Sequence, residues 1–85
     1  MNWQIDIARD ARKELAGLHP QMQVRISKAI LAFENNPFPP GCIKLKNRDG
    51  FRIRVGDYRV LHLVDTKLKR IAIGVIGHRR EVYRD

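Results

Sequence analysis

The sequence predicts an α+β fold in one small domain, with the element order β-α-α-β-β-β(-β) and a helical hairpin packed on one face of a mostly antiparallel sheet. The chain has 85 residues, which suits a single domain with one core. Helical periodicity is confined to residues 8–36, and strand-like runs fill the chain from residue 42 onward. Short turn signals separate those runs, so consecutive strands should pair antiparallel.

The first two predicted elements are a strand and a helix. In "WQIDIA" the apolar Trp3, Ile5 and Ile7 alternate with polar residues, and this period of two predicts a strand. In "ARDARKELAGLH" the apolar residues recur at helical spacing, and the helix is predicted to end near Gly17. His19 is interpreted as a residue that ends or caps a helix.

A second helix is predicted to begin at Pro20, because proline suits the first helical position. The segment "PQMQVRISKAILAFENN" carries one apolar stripe, which predicts a core-facing side and consists of Met22, Ile26, Ala29, Ile30 and Phe33. The turn-rich "NPFPPG" then predicts a stiff connector.

Four strand-like runs follow the connector. They are "CIKLK", "FRIRV", "YRVLHLV" and "RIAIGVIG", separated by "NRDG", "GD" and "DTKLK". The last two runs are nearly continuous in apolar residues, which predicts central strands. His62 is interpreted as a structural histidine with satisfied hydrogen bonds, and Cys42 as a small buried or strand-edge residue.

Charge limits the kinds of partner. The chain has 17 Lys+Arg against 9 Asp+Glu, a net charge of +8, and its pI is near 10.4. Such a balance favours a polyanion, usually a nucleic acid, or an acidic protein partner. A membrane is less favoured, because no segment reads as a basic amphipathic helix with aromatic anchors.

Other classes of protein are disfavoured by what the sequence lacks. No apolar run approaches the ~20 residues of a membrane span, and "MNWQIDIARD" does not resemble a signal peptide. The single Cys42 excludes an internal disulfide and any zinc site with several cysteines. The expected compartment is the cytoplasm, and no metal or other cofactor is expected, because there is no ligand-spaced His/Cys/Asp/Glu cluster or glycine-rich phosphate loop.

Basic residues alternate along the predicted strands. In "FRIRV" the side chains of Arg52 and Arg54 should face away from the core, and Arg59, just past the next turn, can approach Arg54 across the strand pair. Lys44 and Lys46 alternate in the same way on the preceding strand. A solvated sheet face explains this pattern about as well as a binding site does, although clustered like charges cost energy.

The segment "GHRREVYRD" adds a second group of polar residues after the last strand. Arg79 and Tyr83 are four residues apart, which is one turn if this segment is helical. An arginine can bind a phosphate through two hydrogen bonds, and a phenol can stack on a base or transfer a proton. Together with a basic sheet face they would make a site suited to RNA.

In these residues and motifs the chain resembles the RelE/ParE superfamily of toxins from type II toxin–antitoxin modules. The resemblance covers nearly the whole chain and includes "KLK", "FRIRVGDYRVLHLV" and "IGHRREVYR". It is closest to the RelE-like branch of messenger-RNA interferases. It implies a ribosome-dependent endoribonuclease that cleaves messenger RNA in the A site by metal-independent attack of the 2′-OH, and so inhibits translation.

The resemblance also assigns roles to residues of this chain. The catalytic set that it implies is Arg52, Arg54, Arg59, Arg79 and Tyr83. The residues expected to bind RNA are Lys44, Lys46, His78 and Arg80, although packing is the favoured role for His78. The implied protein partner is an acidic, RelB-like antitoxin in a hetero-oligomeric complex.

One departure from the family pattern affects the mechanism. Relatives of the best-known type carry lysine where this chain has Arg52 and Arg54. Arginine does not release its proton, so these residues are expected to stabilise charge on the phosphate and not to act as a general base. Two alternatives stay open: a ParE-like inhibitor of DNA gyrase, and a non-catalytic basic module that binds RNA or protein.

Overall fold

The computed structural model describes residues 3–78, which form a five-stranded mixed sheet with two helices. The helices are α1 (Arg9–Ala16) and α2 (Pro20–Ala32). The strands, in chain order, are β1 (Gln4–Ile7), β2 (Ile43–Lys44), β3 (Phe51–Val55), β4 (Tyr58–Asp65) and β5 (Arg70–His78). The predicted fold class and element order are confirmed.

The strands lie in the spatial order β1-β5-β4-β3-β2. Strands β2 to β5 pair antiparallel with their neighbours in the chain, whereas β1 pairs parallel to β5. Both apolar runs predicted as central strands, β4 and β5, have a strand on each side. The strand predicted over "CIKLK" is only two residues long, because only Ile43 and Lys44 pair with β3.

The core lies between the helices and one face of the sheet. The stripe predicted on α2 supplies Ile26, Ile30 and Phe33, all buried, and α1 supplies Ala11. Facing them are the buried sheet residues Ile53, Val60, Ile71, Ile73 and Ile76. The apolar stripe of the helices therefore packs against the alternating apolar side chains on one face of the sheet.

Helix α1 ends and helix α2 begins at the residues predicted from the sequence. Gly17 closes α1, with its backbone N–H directed at carbonyls of the preceding turn. His19 caps α2, because its Nδ1 accepts a hydrogen bond from the backbone N–H of Gln21 at 3.2 Å. None of the helices within residues 3–78 is long and apolar enough to cross a membrane.

His62 joins the connector after α2 to the sheet. Its side chain is 2% exposed, and its ring centroid lies 4.3 Å from that of Phe33 and 5.8 Å from that of Phe51. Its Nε2 lies 3.0 Å from the carbonyl oxygen of Pro37. A carbonyl oxygen only accepts, so Nε2 carries the proton and donates it. His62 is thus a structural histidine, as predicted, but its hydrogen bonds are not all satisfied, because its buried Nδ1 has no partner among the described residues.

The turn between β3 and β4 is a two-residue hairpin loop at Gly56 and Asp57. Gly56 has a φ of 60°, and Asp57 has no positive φ. A positive φ at only the first central residue is the pattern of a type II′ turn, which favours glycine there. The sequence signal "GD" therefore selects a turn whose twist matches that of the two strands.

The first prediction concerns His62 and pH. Burial lowers the pKa of His62, and the hydrogen bond to Pro37 opposes this effect only in part. The unfolded chain takes up a proton near pH 6.5, whereas folded His62 stays neutral to lower pH. The contribution of His62 to stability is therefore constant above about pH 6.5 and falls as the pH decreases below that value.

Urea unfolding at pH values from 8 to 5 measures this effect. The variant His62→Phe loses the hydrogen bond and should be less stable at pH 8, but its free energy of unfolding should fall less steeply between pH 6.5 and 5. Equal slopes for the variant and the parent would contradict the prediction.

The second prediction compares two glycines. Gly56→Ala should lower the free energy of unfolding by about 1–2 kcal/mol, because an L-residue is strained at positive φ. Gly17→Ala should raise it by about 0.4–1 kcal/mol, because Gly17 has a φ of −86° and an added β-carbon meets nothing closer than 3.7 Å. Chemical denaturation of both variants measures the difference, and a destabilised Gly17→Ala protein would count against it.

Candidate functional site

The sheet face opposite the helices carries three arginines. On β3, Ile53 is buried toward the helices, so its neighbours Arg52 and Arg54 face the other way. Arg54 pairs directly with Arg59 of β4. Residues that pair directly share a face, so all three arginines lie on the open face of the sheet, as predicted. We call Arg52, Arg54 and Arg59 the basic face.

The three arginines differ in exposure. Arg52 and Arg59 are half-buried, and the Nε atom of each is buried. Arg54 is exposed, and its Nε donates a hydrogen bond to the carbonyl oxygen of Gly56 at 3.2 Å. Their backbones belong to paired strands, so their spacing is set by the sheet. A guanidinium group stays charged across the physiological pH range, so the basic face keeps its charge.

An apolar cluster lies beside the basic face and was not predicted. Leu45 and Leu61 are buried and pack with Val75 on the open face, where Leu61 pairs directly with Arg52. A shallow cavity of about 60 Å³ lies at this cluster and is also lined by Arg48 and Asp49. The sequence signal was present, because "YRVLHLV" is apolar at positions on both faces of its strand.

Lys44 lies on a different face of the sheet from the one expected. Lys44 pairs directly with Phe51, whose ring packs toward the helices against that of His62. The expectation that Lys44 alternates with the basic face is therefore wrong, because pairing puts it on the helix side. Lys46 lies beyond the end of β2 and is exposed, so the predicted strand does not position it.

His78 packs against a residue of β4. The two residues pair directly, and the ring of His78 meets that of Tyr58 edge-on, with centroids 5.5 Å apart. Tyr58 packs against the core on the helix side, so His78 lies on the face opposite Arg59. Packing was the favoured role for His78, and Tyr58 is the partner seen.

The other predicted residues follow the last described position. Arg79, Arg80 and Tyr83 lie outside the described residues. Gly77, near the end of β5, pairs directly with Arg59. The chain therefore continues from a point next to the basic face.

The described residues hold no group of three His, Cys, Asp or Glu side chains suited to a metal ion. The lone Cys42 is half-buried, and burial raises the pKa of its thiol. The functional groups of the basic face itself are guanidinium groups, which can stabilise negative charge.

Sequence comparison places the chain in a family of known description. Residues 5–83 match the family model of the "ParE toxin of type II toxin-antitoxin system, parDE". No curated protein matches the chain significantly.

Solved structures with the same fold are RelE toxins. The archaeal RelE–RelB complex from Pyrococcus horikoshii contains a chain with 26% identity and a TM-score of 0.81, which covers 96% of this chain and 100% of that chain. The RelBE2 complex from Mycobacterium tuberculosis has 22% identity, a TM-score of 0.80 and coverage of 93% and 100%. The isolated E. coli RelE toxin has 16% identity, a TM-score of 0.78 and coverage of 98% and 87%.

Proposed function

The chain belongs to the family of ParE toxins of type II toxin–antitoxin systems, and we propose that it is a ribosome-dependent endoribonuclease that cleaves messenger RNA in the A site. The observation that carries the proposal is the basic face, on which Arg54 and Arg59 pair directly and Arg52 lies two residues away on the same side. A phosphodiester backbone is the ligand that best suits such a group. Likeness to the archaeal RelE, at 26% identity, supports the same choice.

The proposed reaction needs no external nucleophile. The ribose 2′-oxygen attacks the adjacent phosphorus as its proton is removed, the bond to the 5′-oxygen breaks, and that oxygen takes up a proton. The products are a 2′,3′-cyclic phosphate and a 5′-hydroxyl. An enzyme accelerates this reaction by aligning the backbone, stabilising negative charge on the phosphate oxygens and moving two protons.

The roles proposed for the residues follow from their chemistry. Arg52, Arg54 and Arg59 stabilise the charge on the phosphate, because arginine donates hydrogen bonds but does not release a proton. Tyr83 transfers a proton or stacks on a base, and Arg79 adds a further phosphate contact.

Additional contacts to RNA are proposed for Lys46 and Arg80, which are basic and follow β2 and β5 in the chain. Lys44 and His78 are left out of the proposed contacts, because strand pairing turns both toward the helix side.

The proposed protein partner is an antitoxin. RelE chains of the same fold are found in complexes with RelB. The net charge of +8 favours an acidic segment in such a partner. We place the toxin and its hetero-oligomeric complex with the antitoxin in the cytoplasm, where the ribosome is.

Inhibition of DNA gyrase is the second candidate function. It is favoured by one observation, the match of residues 5–83 to a family described as ParE toxins. The basic face is compatible with that function also, because gyrase acts on DNA. The two functions differ in product: cleaved messenger RNA in one case and a loss of supercoiling activity in the other.

The third prediction tests the proposed catalytic residues of the C-terminal segment. Purified protein is added to a bacterial translation extract, and the 5′ ends of the messenger RNA are mapped by primer extension. We expect new ends inside codons in the A site. Arg79→Ala/Tyr83→Phe should lower the cleavage rate at least about 10²-fold, because proton transfer and charge stabilisation each contribute about that much.

The same extract distinguishes the alternatives. Unimpaired cleavage by the double variant would refute the roles of Arg79 and Tyr83. No cleavage by the parent protein, together with inhibition of purified gyrase in a supercoiling assay, would favour the ParE-like function. Binding to ribosomes without cleavage or inhibition of translation would favour a non-catalytic module.

The fourth prediction tests the basic face with a matched control. Arg59→Ala should lower the cleavage rate about 10²-fold, the usual effect of removing one donor to a developing oxyanion. Lys67→Ala removes one positive charge from the exposed turn between β4 and β5, at the opposite end of β4, and should leave the rate unchanged. Equal losses in the two variants would mean that only net charge matters.

A further inference from the structure

Arg25 of α2 lies against the turn that carries the end of the basic face. A β-carbon built on Gly56 would lie 3.1 Å from a terminal guanidinium nitrogen of Arg25 and 3.0 Å from the terminal methyl carbon of Met22. The guanidinium group therefore occupies the space next to the turn that a side chain at position 56 would fill. Arg25 belongs to the helix layer, yet its charged end reaches the tip of the sheet hairpin.

Arg54 approaches the same glycine from the other side. Its Nε donates a hydrogen bond to the carbonyl oxygen of Gly56 at 3.2 Å. Standard bond lengths within Gly56 then place the Arg25 nitrogen and the Arg54 Nε at most about 10 Å from each other. A phosphate group with an arginine on each side needs a separation of this order, because each hydrogen bond spans about 2.8 Å.

The tip carries two positive charges, on Arg25 and Arg54, and one negative charge, on Asp57. Neither Arg25 nor Arg54 has a carboxylate within salt-bridge distance among residues 3–78. The hydrogen bond to Gly56 uses one N–H of Arg54, and a guanidinium group has five. Asp57, an exposed residue of the turn, is the acid nearest in sequence to Arg54.

We propose that Arg25 and Arg54, on either side of Gly56, form a phosphate-binding site at the tip of the β3–β4 hairpin. The site continues the basic face from the open side of the sheet around the hairpin to α2. Its ligand is an RNA phosphate other than the one that is cleaved, and Arg54, with five N–H donors, is shared between the two phosphates. The amino-acid pattern does not identify Arg25 as a site residue. In the sequence it is one more polar residue outside the apolar stripe of α2.

The inference rests on the proposed function only in taking the polyanion to be RNA. A phosphate of this kind can come from the messenger RNA or from ribosomal RNA, and both have the same chemistry. A bound message would cross from the basic face to α2, whereas ribosomal RNA would contact the hairpin tip while the message stays on the open face.

The fifth prediction measures binding, not cleavage. The dissociation constants of the full chain for a single-stranded RNA of about 12 nucleotides and for vacant 70S ribosomes are determined at several salt concentrations. Arg25→Ala should weaken binding several-fold and reduce the salt slope on single-stranded RNA by about 0.7, the value for one phosphate contact. Arg25→Gln, which keeps a polar side chain but removes the charge, should behave in the same way.

The controls separate this site from a general effect of charge and from failure to fold. Lys67→Ala removes a charge at the opposite end of β4 and should not change either constant. Arg25 is exposed on a helix and alanine favours helices, so circular dichroism and urea unfolding should match those of the parent. Asp57→Asn removes the negative charge at the tip and should tighten binding.

Each result of the binding measurements either supports or refutes the phosphate-binding site. An effect on both ligands supports a contact with the message, and an effect on ribosomes alone supports a contact with ribosomal RNA. If Arg25→Ala binds both ligands like Lys67→Ala, or if the parent protein binds neither, the inference is wrong. Loss of cleavage activity does not enter this test, so an inactive parent protein that binds RNA through Arg25 would refute the proposed enzyme and leave the phosphate site standing.

Discussion

The two-residue turn at Gly56 and Asp57 fixes the register of β3 and β4, and that register decides which side chains share a face. It makes Val55 and Tyr58 the first pair, so Arg54 falls opposite Arg59 and Ile53 opposite Val60. A shift of one residue would exchange the faces of one strand and move arginines into the core. The core and the basic face are therefore two consequences of one turn.

The open face combines charge with apolar contacts, and this combination explains how the arginines are held. Leu61 and Val75 pack with Leu45 in a small second cluster next to Arg52. An arginine can lay its methylene groups along such a surface while its charged end stays accessible. Half-burial of Arg52 and Arg59 limits their rotamers, so less conformational entropy would be lost in the phosphate contact of the proposed function.

The sequence predicted the elements well because the signals for them are local. The alternation of "FRIRV", the apolar stripe of α2 and the "GD" turn each depend on a few neighbouring residues, and each reappears in the structure. The structural roles of His19 and His62 could also be predicted from the sequence. His19 precedes a proline that begins a helix, and His62 lies in an apolar strand.

What the sequence did not predict depends on contacts between distant segments. The helix-side position of Lys44 follows from its pairing with Phe51, and the register of that short edge strand has no local signature. The parallel pairing of β1 with β5 joins segments more than 60 residues apart. The position of Arg25 beside Gly56 follows from how α2 crosses the sheet, which helical periodicity does not determine.

The chemistry of arginine limits what the basic face can do in the proposed reaction. Arg52, Arg54 and Arg59 can donate hydrogen bonds to a phosphate, but they cannot take the proton from a 2′-hydroxyl. Proton transfer therefore requires a group elsewhere. His62 is buried in the helix-side layer, and His78 packs on Tyr58 on the face away from Arg59, so neither faces the basic face. Under the proposed function, cleavage therefore depends on a proton-transferring group such as Tyr83, and a chain with the same sheet but without such a group is expected to bind RNA without cutting it. In the proposed function, proton transfer thus belongs to the segment that carries Arg79 and Tyr83, and the arginines of the sheet supply affinity for phosphate.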